Sequence, residues 1–125
     1  MNYFAKVKNL NENLEQEVTL DINGVVFTAF IDICPYEIKE GQRYPVSIGF
    51  TMIHDLRVRL SANRLKELER VGEAYMYVIR GIVREGFIDA GLHVIDEDGY
   101  LDNYPEVMGK YAEMKVDRLG VEFLE

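Results

Sequence analysis

The chain is short of the residues that most often carry chemistry. It has one cysteine and two histidines in 125 residues. A lone thiol, Cys34, forms no internal disulfide and makes no cysteine metal site by itself. That usage fits a reducing compartment, so a cytoplasmic location is expected. Nothing basic flanks Cys34, which precedes Pro35, so it reads as structural rather than reactive. Long apolar runs are also missing. The opening "MNYFAKVKNLNENLEQ" has no unbroken apolar core, so neither a signal peptide nor a membrane span is expected there. No nucleophile elbow, internal repeat or low-complexity segment is visible. The length points to one domain over residues 1–125, able to bury roughly two-thirds of its unfolded surface.

Charge of one sign is scarce in most of the chain. The net charge is −8. Residues 1–56 carry four basic and eight acidic groups, and residues 85–125 carry three basic and eleven acidic. Residues 57–84 reverse the balance, with seven basic and three acidic groups. An acidic chain repels phosphate backbones at long range, which weighs against nonspecific nucleic-acid binding. The basic middle leaves room for a local anion site.

Period-two alternation dominates what is present. In "LEQEVTLDINGVVFTAFIDI", Leu14, Val18, Leu20 and Ile22 share one parity and Glu15, Glu17, Thr19 and Asp21 the other. Asn23-Gly24 suits a two-residue turn, whose central positions both need positive φ. Such a turn pairs Ile22 with Val25, Leu20 with Phe27 and Val18 with Ala29, so both strands bury one face. Residues 3–10 form a short strand with Tyr3, Ala5 and Val7 on one side. After a loop bracketed by Pro35 and Pro45, residues 46–60 alternate without a break. Val46, Ile48, Phe50, Met52, Leu56, Val58 and Leu60 face inward, and a strand that long must coil.

Leu65 and Leu68 in "RLKELER" suggest a short helix, capped by Ser61 or Asn63 and ended by Gly72. Residues 73–86 read as a strand with a bend or bulge at Gly81. Residues 87–95 read as one strand with Ile88, Ala90, Leu92 and Val94 inside. In the last strand the apolar parity shifts, from Ala112, Met114 and Val116 to Leu119, Val121 and Phe123. A bulge near Asp117-Arg118 would do this, and so would a strand leaving one sheet for another. The expected fold is all-β with one short helix: a small antiparallel barrel of six or seven strands. The order of elements over residues 14–95 resembles an OB-type Greek-key barrel in architecture, without a family motif behind it.

Candidate sites are few. Arg57, Arg59, Arg80 and Arg84 would form one ligand- or anion-binding patch if their strands are neighbours. Tyr75 and Tyr77 add the aromatic half of a single-strand nucleic-acid recipe, but they share the opposite parity and are expected in the core. Tyr100, Tyr104 and Tyr111, beside an acidic loop, are candidates for partner contact. "DEDGYLDN" resembles a calcium loop, yet aligning Gly99 with the glycine of an EF-hand puts Val94 and Pro105 at ligand positions. A looser calcium site from Asp96, Asp98 and Asp102 remains as a weak alternative to a solvated turn. His54 lies on the apolar row and His93 on the polar side of its strand. Within one strand Asp89 and His93 would stand about 13 Å apart, too far for a dyad.

No cofactor or metal is expected. The leading expectation is a non-enzymatic protein-interaction or assembly module with a protein partner or self-association. A barrel that binds a small ligand or single-stranded nucleic acid comes second, and a hydrolase using His54 or His93 comes last.

Overall fold

A computed structural model describes residues 2–53 and 55–125. Among these the chain forms eleven strands: β1 (Tyr3–Leu10), β2 (Glu17–Ile22), β3 (Val25–Ile33), β4 (Arg43–Thr51), β5 (Val58–Leu60), β6 (Glu67–Arg70), β7 (Tyr77–Arg84), β8 (Phe87–Asp89), β9 (His93–Ile95), β10 (Tyr111–Val116) and β11 (Arg118–Phe123). Two short 3-10 turns, Tyr100–Asn103 and Pro105–Val107, join β9 to β10.

The β2–β3 hairpin has the register its alternation requires, with Ile22 opposite Val25, Leu20 opposite Phe27 and Val18 opposite Ala29. Asn23 and Gly24 take φ of 51° and 89°, the positive values that a tight hairpin turn demands. The Asp21 carboxylate accepts the Gly24 N–H and fixes the turn.

The ladders of β1 to β4 and β11 form a circuit. β1 pairs with β2, β2 with β3, β3 with β11, β11 with β4, and β4 with β1. Four of these ladders are antiparallel and β3–β11 is parallel. The inward residues include Ala5, Val7, Leu20, Ile22, Phe27, Ile48, Leu119, Val121 and Phe123, each 2% exposed or less. Residues 52–116 depart from this circuit and return to it. They carry a second run of strands, β9-β8-β7-β10-β5, that continues from β4 through a parallel β4–β9 ladder, with β6 also on β7. Its inner residues, among them Tyr77, Ile79, Val83, Ile88, Met114 and Val116, belong to the same apolar core as the circuit.

Several sequence expectations need correcting. The sheet is mixed rather than antiparallel, and it has more strands than the six or seven expected. The expected helix over "RLKELER" is an extended segment leading into β6. Glu67 and Leu68 sit opposite Arg80 and Ile79, and pairing with a buried strand outweighs a weak helical pattern. Ser61 makes a local turn instead of a helix cap, its Oγ accepting the Asn63 N–H at 3.2 Å. The long strand of 46–60 is two strands, β4 and β5, separated by a loop. Residues 87–95 also divide, into β8 and β9, with a turn at Gly91 whose φ is +90°.

The parity shift near Asp117 marks a change of partners. β10 pairs with β5 and β7, whereas β11 pairs with β3 and β4. Each half turns its own apolar row to the common core. The Asp117 carboxylate accepts the Ile53 N–H at the crossing and ties it to the end of β4.

Candidate functional site

The arginines of the basic middle are brought onto one sheet face, but not as a free cationic patch. β10 lies between β5 and β7, so Glu113 sits directly opposite Arg59 on one side and Arg80 on the other. β6 adds Glu67 opposite Arg80. The result is a row of alternating charge across four strands: Arg59, Glu113, Arg80, Glu67. Arg80 donates to Glu113 at 3.0 Å, to Glu67 at 2.8 Å and to Glu69 at 3.0 Å, and Arg59 also donates to Glu113. Burial pushes the Glu113 carboxyl upward, but hydrogen bonds from Arg80 and Arg59 outweigh it and hold the group below its usual range. The Glu69 hydrogen bond is the main cause raising the Arg80 guanidinium above its ordinary value, with Glu113 and Glu67 adding to it.

Beside this row lies a shallow groove of about 470 Å³. Val78, Val58 and Met114 give it an apolar lining, and Arg57, Arg59, Arg80, Glu113 and Lys115 its charge. Among the described residues Arg57 and Lys115 enter none of the ion pairs of this face. Arg84 does not line the groove; it lies four residues along β7 from Arg80, about 13 Å at the rise of a strand. Three of the four expected arginines therefore meet. Glu113 had no signature in the sequence, because parity identifies the face of β10 but not its neighbours.

β5 forms one side of the groove and has a single ladder partner, β10, among the described residues. Large apolar side chains stand exposed along residues 52–116: Ile53 at 79%, Leu60 at 53%, Leu65 at 47% and Met108 at 40%. The turn that precedes Met108 packs against β5.

Among the other candidate residues, Tyr100, Tyr104 and Asp96 have structural partners. Tyr100 packs on Phe50 with ring centres 6.0 Å apart, and the Tyr104 hydroxyl donates to the Leu56 carbonyl. Both line a small pocket of about 210 Å³ with Asp55 and Asn103, whereas Tyr111 lies on β10 opposite Ile82 and away from it. Asp96 is buried and accepts the N–H groups of Tyr100 and Leu101 at 3.0 and 2.8 Å, which fixes the first 3-10 turn. Asp98 faces a different pocket, lined also by Asp32, Glu97 and Glu122. Among the described residues no group of three His, Cys, Asp or Glu is placed to hold a metal ion.

Tyr77 is in the core, as its parity implies, and its hydroxyl accepts the Thr28 N–H at 2.8 Å. Tyr75 is not: it stacks edge-on against Phe30, with centroids 4.7 Å apart, over the outer face of the β2–β3 hairpin. Its hydroxyl is the largest influence holding the Glu17 carboxyl below its usual range, followed by the hydrogen bond from Asn11.

Asp89 and His93 overturn a sequence argument. They lie on β8 and β9, directly opposite each other, because the chain turns between them. Asp89 accepts from Lys66 Nζ at 2.9 Å and from the Gly91 N–H at 3.1 Å. Burial raises the Asp89 carboxyl, but the Lys66 and Gly91 hydrogen bonds, with the charges of Lys66 and His93, bring it below the ordinary range. The His93 ring stacks on Phe87 with centroids 4.4 Å apart, and its backbone N–H donates to the Tyr3 hydroxyl. Cys34 is half-buried and donates to the Tyr36 carbonyl. His54 lies outside the described residues.

No described helix is long and apolar enough to cross a membrane. The chain belongs to the family described as "Uncharacterised conserved protein UCP019853", whose model matches residues 1–124. Neither the curated proteins nor the solved structures contain a match to it.

Proposed function

We propose that this protein is a non-enzymatic interaction module: a five-stranded barrel of OB type, elaborated by residues 52–116, that binds another protein through the elaboration. The circuit of ladders through β1, β2, β3, β11 and β4 supports the barrel. The observation that carries the function is β5, a strand with one ladder partner among the described residues, which exposes Leu60 and lies against the turn that precedes the exposed Met108. Exposed apolar side chains beside an unpaired edge are a common mark of contact surfaces. OB-type barrels that bind oligonucleotides use the face of the second and third strands. Here Tyr75 packs on Phe30 and Arg70 reaches Thr28 Oγ1 at 3.4 Å, so that face is already covered. A half-buried lone thiol suits action in the cytoplasm.

The test is stoichiometric co-purification followed by light scattering on the sized complex. The wild-type chain is expected to run as a discrete complex, and Leu65→Asp and Met108→Asp to release the partner without loss of fold. A second reading rests on Arg57 and Lys115, whose charges lie beside the groove outside its ion pairs. It is a small anionic ligand or single-stranded nucleic acid held in that groove. A monomer that shifts labelled single strands in a salt-dependent way, abolished by Arg57→Ala, would establish it in place of the first.

A further inference from the structure

The hydrogen-bond phase of β5 determines what its open edge offers. The Ser61 N–H donates to the Tyr111 carbonyl at 3.0 Å. Ser61 therefore faces β10, and by the two-residue alternation of an antiparallel ladder so does Arg59. The N–H and C=O groups of Val58 and Leu60 then point the other way, off the sheet. An edge of this kind is a template for one more strand.

Side chains decide which strand fits. Arg59 lies on the outer face, in the row with Glu113, and Arg57 shares its parity. Val58 is half-buried and Leu60 exposed on the opposite parity. An incoming strand thus meets cations on one face and apolar groups on the other. A second copy of this chain is a poor occupant when pairing is centred on β5. Antiparallel self-pairing about Arg59 sets Arg59 opposite Arg59 of the copy, and like charges directly opposite are destabilising. Carboxylates at alternate positions would instead meet Arg57 and Arg59, extending the row Glu67–Arg80–Glu113–Arg59 by one acidic member. Lys115 adds a further cation in the groove behind them.

We infer that β5 is a docking edge for an extended acidic segment of another protein, in which carboxylates alternate with aliphatic side chains. The segment adds to the sheet as a strand, with its backbone on Val58 and Leu60 and its carboxylates on Arg57 and Arg59. This inference rests on the interaction-module reading and specifies the chemistry of its partner.

The test uses the full chain and a fluorescein-labelled peptide alternating valine and glutamate, about seven residues long. Fluorescence polarisation is expected to show saturable binding that weakens as salt rises. A valine–lysine peptide of the same length is expected to bind at least about tenfold more weakly, by like-charge opposition. Leu60→Pro removes one outward N–H, leaves the ladder to β10 intact and is expected to weaken binding about tenfold or more. Arg57→Glu, which touches no ion pair of the sheet face, is expected to do the same and keeps the test valid if the proline variant misfolds.

Equal binding of the two peptides, or unchanged binding by Arg57→Glu and Leu60→Pro, would overturn the inference. So would a wild-type dimer that Leu60→Pro dissociates, since the edge would then belong to a second copy. If the peptide fails while a co-purifying partner is still lost on Met108→Asp, this edge is wrong and the module reading stands. If no partner is lost either, both fall.

Discussion

Two glycines show how closely backbones approach in this fold. A Cβ on Gly81 would lie 2.0 Å from the Asp89 carbonyl oxygen, where the β8–β9 turn crosses β7. A Cβ on Gly120 would lie 2.2 Å from Asp32 Oδ2, the end of a side chain that can swing away. Gly81→Ala is therefore expected to destabilise by about 2–3 kcal/mol and Gly120→Ala by less, measured by urea unfolding. Asp32 is also the carboxylate whose pKa is raised, chiefly by burial, with Glu122 adding to it and Arg118 opposing. A raised folded pKa means that the folded state binds the proton more tightly, so stability falls as pH rises through that window. Asp32→Asn is expected to raise the melting temperature slightly at pH 7 and to leave it unchanged well below the ordinary Asp range. A loss of stability at pH 7 would contradict this account of Asp32.

At the scale of elements, the charged row is what joins β5, β10, β7 and β6 on their outer face. Glu113 is the member that two arginines share. Its depressed pKa contributes stability that is present above the unfolded value and lost as pH falls through the folded one. Glu113→Gln is expected to cost about 1–2 kcal/mol at pH 7. The difference from wild type should close between pH 7 and an acidic pH below that lowered folded value, where both chains lack the charge. Denaturant titrations at the two pH values decide it; an equal deficit at both would assign the loss to packing instead.

The elements also show what alternation can and cannot reveal. The β2–β3 hairpin was legible because Asn23-Gly24 fixes a turn and the turn fixes the register. The break between β4 and β5 was hidden because the connecting residues 52–57 are even in number, so parity resumes unchanged. Ile88, Ala90, Leu92 and Val94 are all buried although a turn divides them, because the turn is tucked over Gly81. That concealed the apposition of Asp89 and His93. In "RLKELER" the spacing of Leu65 and Leu68 imitates a helix face, but Leu65 lies in the exposed lead-in and only Leu68 packs.

For the whole molecule, the C-terminal strand is the closing element. β11 sits between β3 and β4, and its parallel ladder with β3 joins residues far apart in sequence. No local pattern encodes a parallel pairing of that range, so the parity shift at Asp117 was visible while its partners were not. The candidate site has the same history: the arginines stood out in the charge balance, but the carboxylate between them required the order of strands. With the circuit occupying β1 to β4 and β11, the long excursion of residues 52–116 ends its sheet at β5. The functional reading depends on the outer edge of that strand being unpaired.

Amide hydrogen exchange followed by NMR tests this directly. In the free protein the Arg59 and Ser61 amides should be protected by β10, while Val58 and Leu60 exchange freely; saturation with the valine–glutamate peptide should then slow Val58 and Leu60. Protection at Val58 and Leu60 already in the free monomer, or no change on saturation, would contradict an open edge that receives a partner strand.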